Sequence, residues 1–227
     1  RPFFPRSRLL RENLFKFIKE NKHKPFLVYY PMLLPHSPFV PNPDSVDWNP
    51  KSPGATRGSM DPDYFDDMVR YTDKMLGRVV AQVEAAGLSE QTYIIFTADN
   101  GGMSASNQYY GVNHNEEQLN SRFASSNLPL RGAKGWNYEG GIRVPLIVYW
   151  PGQTQPQTMS HSIVTGTDFY PTIMEMLNIP KLPEQHVDGK SFVNALKGKT
   201  HDRGAIYWHF PHYSNCLLYT SDAADDP

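Results

Sequence analysis

An apolar segment that ends in Asp-Asn-Gly-Gly constrains this chain most. Residues 92–97 are rich in β-branched and aromatic side chains, which predicts a buried strand. Asp99 and Asn100 come just after it, and ligands bind at that edge of an open α/β sheet. Their carboxylate and amide oxygens are ligands that Ca²⁺ and Mg²⁺ prefer. Taken alone, these residues are more typical of a simple turn.

The order of helices and strands predicts an α/β fold. Apolar residues at helical spacing predict one helix from about Ser7 and another from Asp61 to Gly87. Continuous apolar runs at 26–30 and 144–150 predict two more buried strands. Because helices alternate with buried strands, we expect a mixed, largely parallel sheet between helices.

Shorter segments follow residue 165. Thr167 or Asp168 is expected to cap a helix, because both side chains carry an oxygen that accepts from helix N–H groups. The pattern then predicts a short helix at 192–196 and a strand at 205–210. These last elements indicate the start of a small C-terminal α+β subdomain.

Composition excludes several classes of function. The formal net charge is −1, so no basic surface indicates a nucleic-acid partner. No apolar run is long enough for a membrane span. The one cysteine, Cys216, begins a segment unlike the aromatic stretch before it, and we expect residues 216–227 to be a non-native tail. The rest then has no cysteine for a disulfide framework.

Two basic side chains are candidates for an oxyanion site. Lys134 lies in a glycine-rich segment, where a compact positive charge and glycine N–H groups would suit sulfate or phosphate. His36 follows the predicted strand at 26–30 between prolines, and an imidazole protonates leaving oxygens near neutral pH. Each is also typical of an ordinary exposed loop residue.

An aromatic segment near the end carries a further pair, His209 and His212. It is equally typical of a loop that lines a substrate pocket and of an edge strand with stacked aromatic rings. We treat both histidines as candidate substrate-binding residues.

Together, in this order and spacing, the motifs resemble the sulfatase family of the alkaline phosphatase-like superfamily. The resemblance runs from about Phe26 to Tyr213 and is most specific at Lys-x-x-x-x-Glu-Gly-Gly-Ile-Arg-Val-Pro, which begins at Lys134. It implies the alkaline phosphatase-like α/β fold. We expect residues 1–180 to be part of a catalytic domain, and residues 181–215 to begin the C-terminal subdomain.

The resemblance implies a sulfuric ester hydrolase acting on a sulfated small molecule or sulfated glycan, and usually export. Asp99 and Asn100 would be two ligands of Ca²⁺, in preference to Mg²⁺. Lys134 would contact the sulfate, and His36 the sulfate or the leaving-group oxygen. The family nucleophile is a formylglycine, made from Cys or Ser in a Cys/Ser-x-Pro-x-Arg motif.

That motif is absent from these residues, as are the family's N-terminal calcium aspartates. We expect them upstream of Arg1, so that this piece alone has no turnover. Three alternatives remain open: a phosphonate or phosphodiester hydrolase of the same superfamily, a non-catalytic homologue that binds sulfated glycans, and a plain α/β domain with chance motifs. The sequence does not indicate an oligomeric state.

Overall fold

The computed structural model of the chain describes residues 3–36, 38–50, 63–103, 126–185 and 187–209. Its helices are α1 (Phe3–Asn21), α2 (Asp63–Ala85), α3 (Glu139–Ile142), α4 (Phe169–Met176) and α5 (Val193–Leu196). Its strands are β1 (Ile94–Thr97) and β2 (Leu146–Tyr149), and short 3-10 helices lie at Ser89–Gln91 and Gly166–Asp168. None of the helices in these ranges combines the length and hydropathy that a bilayer span requires.

The chain divides into two compact units. The first comprises residues 1–89, 98–144 and 209–227, and the second comprises residues 90–97 and 145–208. The first unit therefore contains α1, α2 and α3, and the second contains both strands, α4 and α5. We expected a boundary at residue 180 between a catalytic domain and a C-terminal subdomain. The two compact units do not test that boundary, which stays a prediction.

Helical periodicity builds the core of the first unit. Leu14 and Ile18 are buried on one face of α1 and pack against Val83 of α2. Phe17 is partly exposed and meets Phe26 edge to face, with ring centroids 5.7 Å apart. Both predicted helices are confirmed, because a stripe of apolar residues at helical spacing is buried where two helices face each other.

The second helix also anchors the proline-rich loop that follows α1. Met68, Tyr71 and Met75 form a buried cluster with Leu34 and Phe39, which come from that loop. A loop without regular structure is thus fixed by two apolar side chains. This attachment matters for the site, because one anchor lies two residues before His36.

Gly87 ends α2 as predicted. Its φ is +72°, the left-handed conformation that glycine adopts without strain. The Gly87 N–H donates to the Glu84 carbonyl at 2.8 Å, and the Leu88 N–H donates to the Val83 carbonyl at 3.0 Å. These two bonds form a Schellman motif, which satisfies the last carbonyls of the helix.

Two predicted strands are wrong. Residues 26–30 have no regular structure, and Leu27 and Tyr29 are 79% and 88% exposed. Residues 205–209 are likewise irregular. A strand forms only where a neighbour pairs with its N–H and C=O groups, and no other described segment pairs with either of these.

The strands predicted at 92–97 and 144–150 are confirmed in shorter form, as β1 and β2. They pair antiparallel, with Ile94 opposite Tyr149 and Thr97 opposite Leu146. The sheet within the described residues is therefore not the largely parallel one that we expected. Apolar runs predict that a strand exists, but the path of the intervening chain decides which way its neighbour runs.

The second unit is organised around the fully buried carboxylate of Asp168, which directly precedes α4. One oxygen accepts from the Lys190 N–H at 2.8 Å, and the other accepts from the Thr165 N–H at 2.9 Å. The Nε of Arg203 lies 3.0 Å from that second oxygen and forms an ion pair with it. Asp168 thus turns back towards Thr165 instead of capping α4, and it joins three separate segments.

Two further contacts fix the Asp-Gly-Lys-Ser-Phe turn at 188–192 against the same helix. The buried Thr172 hydroxyl donates to the Asp168 carbonyl at 2.6 Å and accepts from the Phe192 N–H at 3.0 Å. A Cβ on Gly189 would lie 2.0 Å from the Thr167 carbonyl oxygen, so only glycine fits there. Helix and turn therefore form one packed structure.

Glycines allow an equally close contact in the first unit. The Asp-Asn-Gly-Gly segment lies directly on the glycine-rich segment, and the Gly101 N–H donates to the Gly141 carbonyl at 2.8 Å. A Cβ on Gly101 would lie 1.9 Å from the Gly140 carbonyl oxygen. A Cβ on Gly140 would in turn lie 2.1 Å from the Gly132 carbonyl oxygen. The backbones meet at distances that exclude any side chain.

We expect Asp168→Ala to lower the free energy of unfolding by about 3–5 kcal/mol, because the partly buried Arg203 would lose its counter-charge. Denaturant unfolding of the purified variant measures this loss. Asp202→Asn is the matched control, since Asp202 is exposed and accepts only a local bond from Gly204 at 3.2 Å. An Asp168 variant as stable as that control would contradict the ion-pair role.

We expect Gly101→Ala to destabilise the protein by about 1–3 kcal/mol or more, because the new methyl overlaps backbone that must move. Gly77→Ala is the control, since Gly77 lies within α2 and an added Cβ meets nothing within 4 Å. That change should stabilise the protein by about 0.5–1 kcal/mol, because alanine is the better helix former. Equal effects from both substitutions would refute the close contact.

Candidate functional site

His36 and Lys134 are brought together although 98 positions separate them in the sequence. The Nε2 of His36 and the Nζ of Lys134 are 3.4 Å apart, and both side chains are exposed. An ammonium group only donates, so the imidazole nitrogen that faces it accepts when the ring is neutral. To an oxyanion arriving from solvent the pair presents a charged ammonium, and an imidazole whose Nε2 donates only when the ring is protonated.

The backbone of Lys134 is fixed to the Asp-Asn-Gly-Gly segment. Its N–H donates to the Gly102 carbonyl at 3.1 Å, and the preceding Ala133 is buried. The Trp136 N–H donates back to the Ala133 carbonyl at 3.0 Å and closes a turn around the lysine. The side chain of Lys134 is exposed to solvent, and it extends from a backbone that these hydrogen bonds hold in place.

His36 is held by a turn of its own. Its N–H donates to the Leu33 carbonyl at 3.1 Å, and Leu34 is buried in the cluster on α2. The imidazole therefore extends from an anchored backbone, as the flanking prolines predict. We expected a stiff presentation of this ring, and the burial of Leu34 adds an apolar anchor that the proline pattern does not specify.

Asp99 and Asn100 lie at the start of the same glycine contact. The Asn100 Nδ2 donates to the Gly101 carbonyl at 2.9 Å, which leaves the amide oxygen as the atom for a ligand role. Asp99 is exposed. A carboxylate and an amide oxygen fit a hard cation, but they supply only two of the ~6–8 oxygens that Ca²⁺ takes.

No group of three or more His, Cys, Asp or Glu side chains among the described residues is placed to hold a metal ion. Asp99 and Asn100 do not form such a group, because only Asp99 is one of these residue types and Asn100 is an amide. These two residues fit part of a hard-metal site, and further ligands would have to complete it.

The glycine N–H groups have a different role from the one we expected. The Gly140 N–H donates to the Arg131 carbonyl at 2.6 Å, and the Gly141 N–H donates to the Tyr138 carbonyl at 2.8 Å. These groups are therefore engaged within the protein instead of pointing at an anion. The glycines serve close backbone packing, which leaves the Lys134 side chain as the charge for an oxyanion.

The other predicted pair is only partly described. His209 is exposed and lies at the end of the described residues, whereas His212 lies outside them. Their role in substrate binding stays a prediction.

Sequence reasoning missed two features beside Lys134. The Nδ2 of Asn127 donates to the carbonyls of Gly102 and Gly132, at 2.9 and 3.0 Å. The rings of Trp136 and Tyr138 stack with centroids 5.8 Å apart. No local pattern predicts either contact, because an asparagine in a loop and aromatic residues two positions apart occur widely.

The family model described as Sulfatase matches residues 4–179. A sulfatase of Formosa agariphila is 31% identical over 207 residues, which cover 83% of this chain and 33% of the relative. Arylsulfatase A of Homo sapiens is 28% identical over 194 residues, which cover 86% of this chain and 33% of the relative.

Solved structures show the same fold. The structure titled "Crystal structure of Ps i-CgsB" aligns with a TM-score of 0.66 and 25% identity over 85% of this chain and 38% of that one. The PsFucS1 sulfatase from Pseudoalteromonas sp. aligns with a TM-score of 0.57 and 25% identity, over 86% of this chain and 36% of that one. The predicted alkaline phosphatase-like α/β fold class is thus confirmed.

The chain spans about a third of the length of the curated relatives it matches. Within that third, the family match includes every element from α1 to α4, and with them His36, Lys134, Asp99 and Asn100. On this evidence the chain belongs to the sulfatase family.

Proposed function

We propose that the protein containing this chain is a sulfuric ester hydrolase, which cleaves a sulfate ester to an alcohol and sulfate. The observation that carries the proposal is the approach of His36 Nε2 to Lys134 Nζ, at 3.4 Å. The backbone N–H of Lys134 is bonded to Gly102, which follows the candidate metal ligands Asp99 and Asn100 in the chain, and this contact supports the proposal. Family membership supports the same chemistry.

The reaction requires stabilisation of the negative charge that moves from the sulfuryl group to the bridging oxygen. Lys134 supplies a positive charge for a sulfate oxygen, and its backbone N–H is bonded to the Gly102 carbonyl at 3.1 Å. His36 contacts a sulfate oxygen or gives a proton to the leaving oxygen, since an imidazole can act as a general acid.

Membership of the family implies a metal and a formylglycine in general. We propose Ca²⁺, in preference to Mg²⁺, with Asp99 and Asn100 as two of its oxygen ligands. A divalent ion held there supplies electrostatic stabilisation of the oxyanion. The nucleophile is proposed to be a formylglycine, and no Cys/Ser-x-Pro-x-Arg motif for it occurs in the 227 residues.

The substrate class that we propose is a sulfated small molecule or sulfated glycan, with His209 and His212 among the groups that contact it. Curated relatives include a steryl-sulfatase of Mus musculus and an N-acetylgalactosamine-6-sulfatase of Canis lupus familiaris, so the alcohol differs among them. We also propose that the protein is exported. The formal charge of −1 gives no support to a nucleic-acid partner.

We expect Lys134→Ala in the whole protein to lower kcat/KM for an aryl sulfate by about 10²–10³-fold, the usual effect of removing one charge-stabilising donor. Lys181→Ala is the control, because Lys181 is an exposed lysine of the second unit. The assay compares aryl sulfate with a phosphonate ester and a phosphodiester. If the unmodified protein turned over either phosphorus substrate faster than the aryl sulfate, the proposed sulfatase activity would be wrong and a phosphonate or phosphodiester hydrolase would take its place.

We expect Asp99→Ala to weaken Ca²⁺ binding by about tenfold or more and to lower the rate with it, because one charged ligand is lost. Calcium content and activity are measured on the same samples. Asp73→Ala removes an exposed carboxylate from α2 and should change neither quantity. Full calcium content together with a full rate in the Asp99 variant would refute the metal assignment.

A further inference from the structure

One side chain connects the two segments that carry the candidate metal ligands and the candidate sulfate-binding lysine. The Nδ2 of Asn127 lies 2.9 Å from the carbonyl oxygen of Gly102 and 3.0 Å from that of Gly132. Gly102 follows Asp99 and Asn100 in the chain, and Gly132 precedes Lys134. A single amide group therefore spans both halves of the proposed site.

The chemistry of this bridge requires a group with two N–H donors. Both partners are carbonyl oxygens, which only accept, and the amide nitrogen of asparagine has two hydrogens to give. An aspartate has the same shape, but it would place a charged oxygen against two other oxygens. An alanine would leave both carbonyls without this donor.

The backbone of Asn127 is itself fixed. Its carbonyl accepts from the Leu130 N–H at 2.8 Å, which closes a turn, and the side chain is partly buried. The neighbouring Ser126 accepts from the Leu128 N–H at 3.2 Å through its hydroxyl. The amide thus projects from a closed turn, so holding it at the two carbonyls costs little side-chain entropy.

The Gly102 carbonyl receives two donors at once. The Lys134 N–H donates to it at 3.1 Å, and the Asn127 amide donates to it at 2.9 Å. Any rotation of this peptide group moves the backbone that follows Asp99 and Asn100, and it also loosens the lysine. The amide of Asn127 opposes that rotation from the side.

We infer that Asn127 is a positioning residue that sets the spacing between the metal ligands and the sulfate-binding lysine. This inference rests on the proposed function, because it assigns Asn127 an effect on that same site. It contacts neither substrate nor metal, and it acts through the backbone of Gly102 and Gly132. Its loss should change metal affinity and turnover together, since both depend on the same peptide groups.

The test uses Asn127→Asp in the whole protein, with Ser126→Ala as the matched control. Both variants change a polar side chain of the same turn: Ser126→Ala removes one local contact, and Asn127→Asp removes both contacts of the bridge. Hydrogen exchange is measured at the amides of Lys134 and of Phe192, the second as a reference in the other unit. Half-saturating Ca²⁺ and kcat/KM for an aryl sulfate are measured in parallel.

In Asn127→Asp we expect faster exchange at Lys134 with no change at Phe192. We also expect half-saturating Ca²⁺ to rise, and kcat/KM to fall, by about 10–100-fold, as when a residue that orients a metal ligand is lost. Ser126→Ala should stay within about twofold of the unmodified protein in all three measurements, because surface substitutions outside such contacts have small effects.

The outcomes separate the two proposals. If the unmodified protein hydrolyses no sulfate ester, the proposed function fails, and exchange at Lys134 still decides whether the bridge exists. If the protein is active and Asn127→Asp matches Ser126→Ala throughout, the inference is overturned. Faster exchange with unchanged Ca²⁺ dependence and rate also overturns it, because the bridge would then be purely structural.

Discussion

The close contact between two glycine-containing backbones underlies the arrangement of the site. Gly101 meets Gly140 at a distance where a methyl group would lie 1.9 Å from a carbonyl oxygen. The resulting hydrogen bonds, from Gly101 to Gly141 and from Lys134 to Gly102, leave little freedom between the two segments. The segment of Lys134 and the segment of Asp99 and Asn100, which are remote in sequence, are thereby held together, and a site for a small oxyanion depends on such spacing.

Much of the fold was predictable because local physics decides it. The stripe of apolar residues on α2 and the glycine at its end specify a helix and its termination without reference to the rest of the chain. The segment at 26–30 shows the limit of that reasoning. Its composition favours a strand, but strand formation depends on a neighbour, and the described residues provide none.

The candidate site was likewise predictable only in part. Motif resemblance identified Lys134 and His36 one by one, whereas only the folded chain shows them 3.4 Å apart. The expectation that glycine N–H groups point at an anion is wrong for Gly140 and Gly141, because both donate to backbone carbonyls within the protein. The role of Asn127 was not predicted at all. Its two partners are backbone carbonyls, which every residue has, so no residue type in the sequence indicates them.

The buried pair of Asp168 and Arg203 has a consequence for how the chain is made. Asp168 is synthesised 35 residues before Arg203, the arginine that neutralises it. Until Arg203 emerges, burying the carboxylate would desolvate a charge with no counter-ion nearby. We therefore expect α4 to dock stably only after the later residues have been synthesised. The ion pair makes the folding of this unit depend on the last of the segments that it joins.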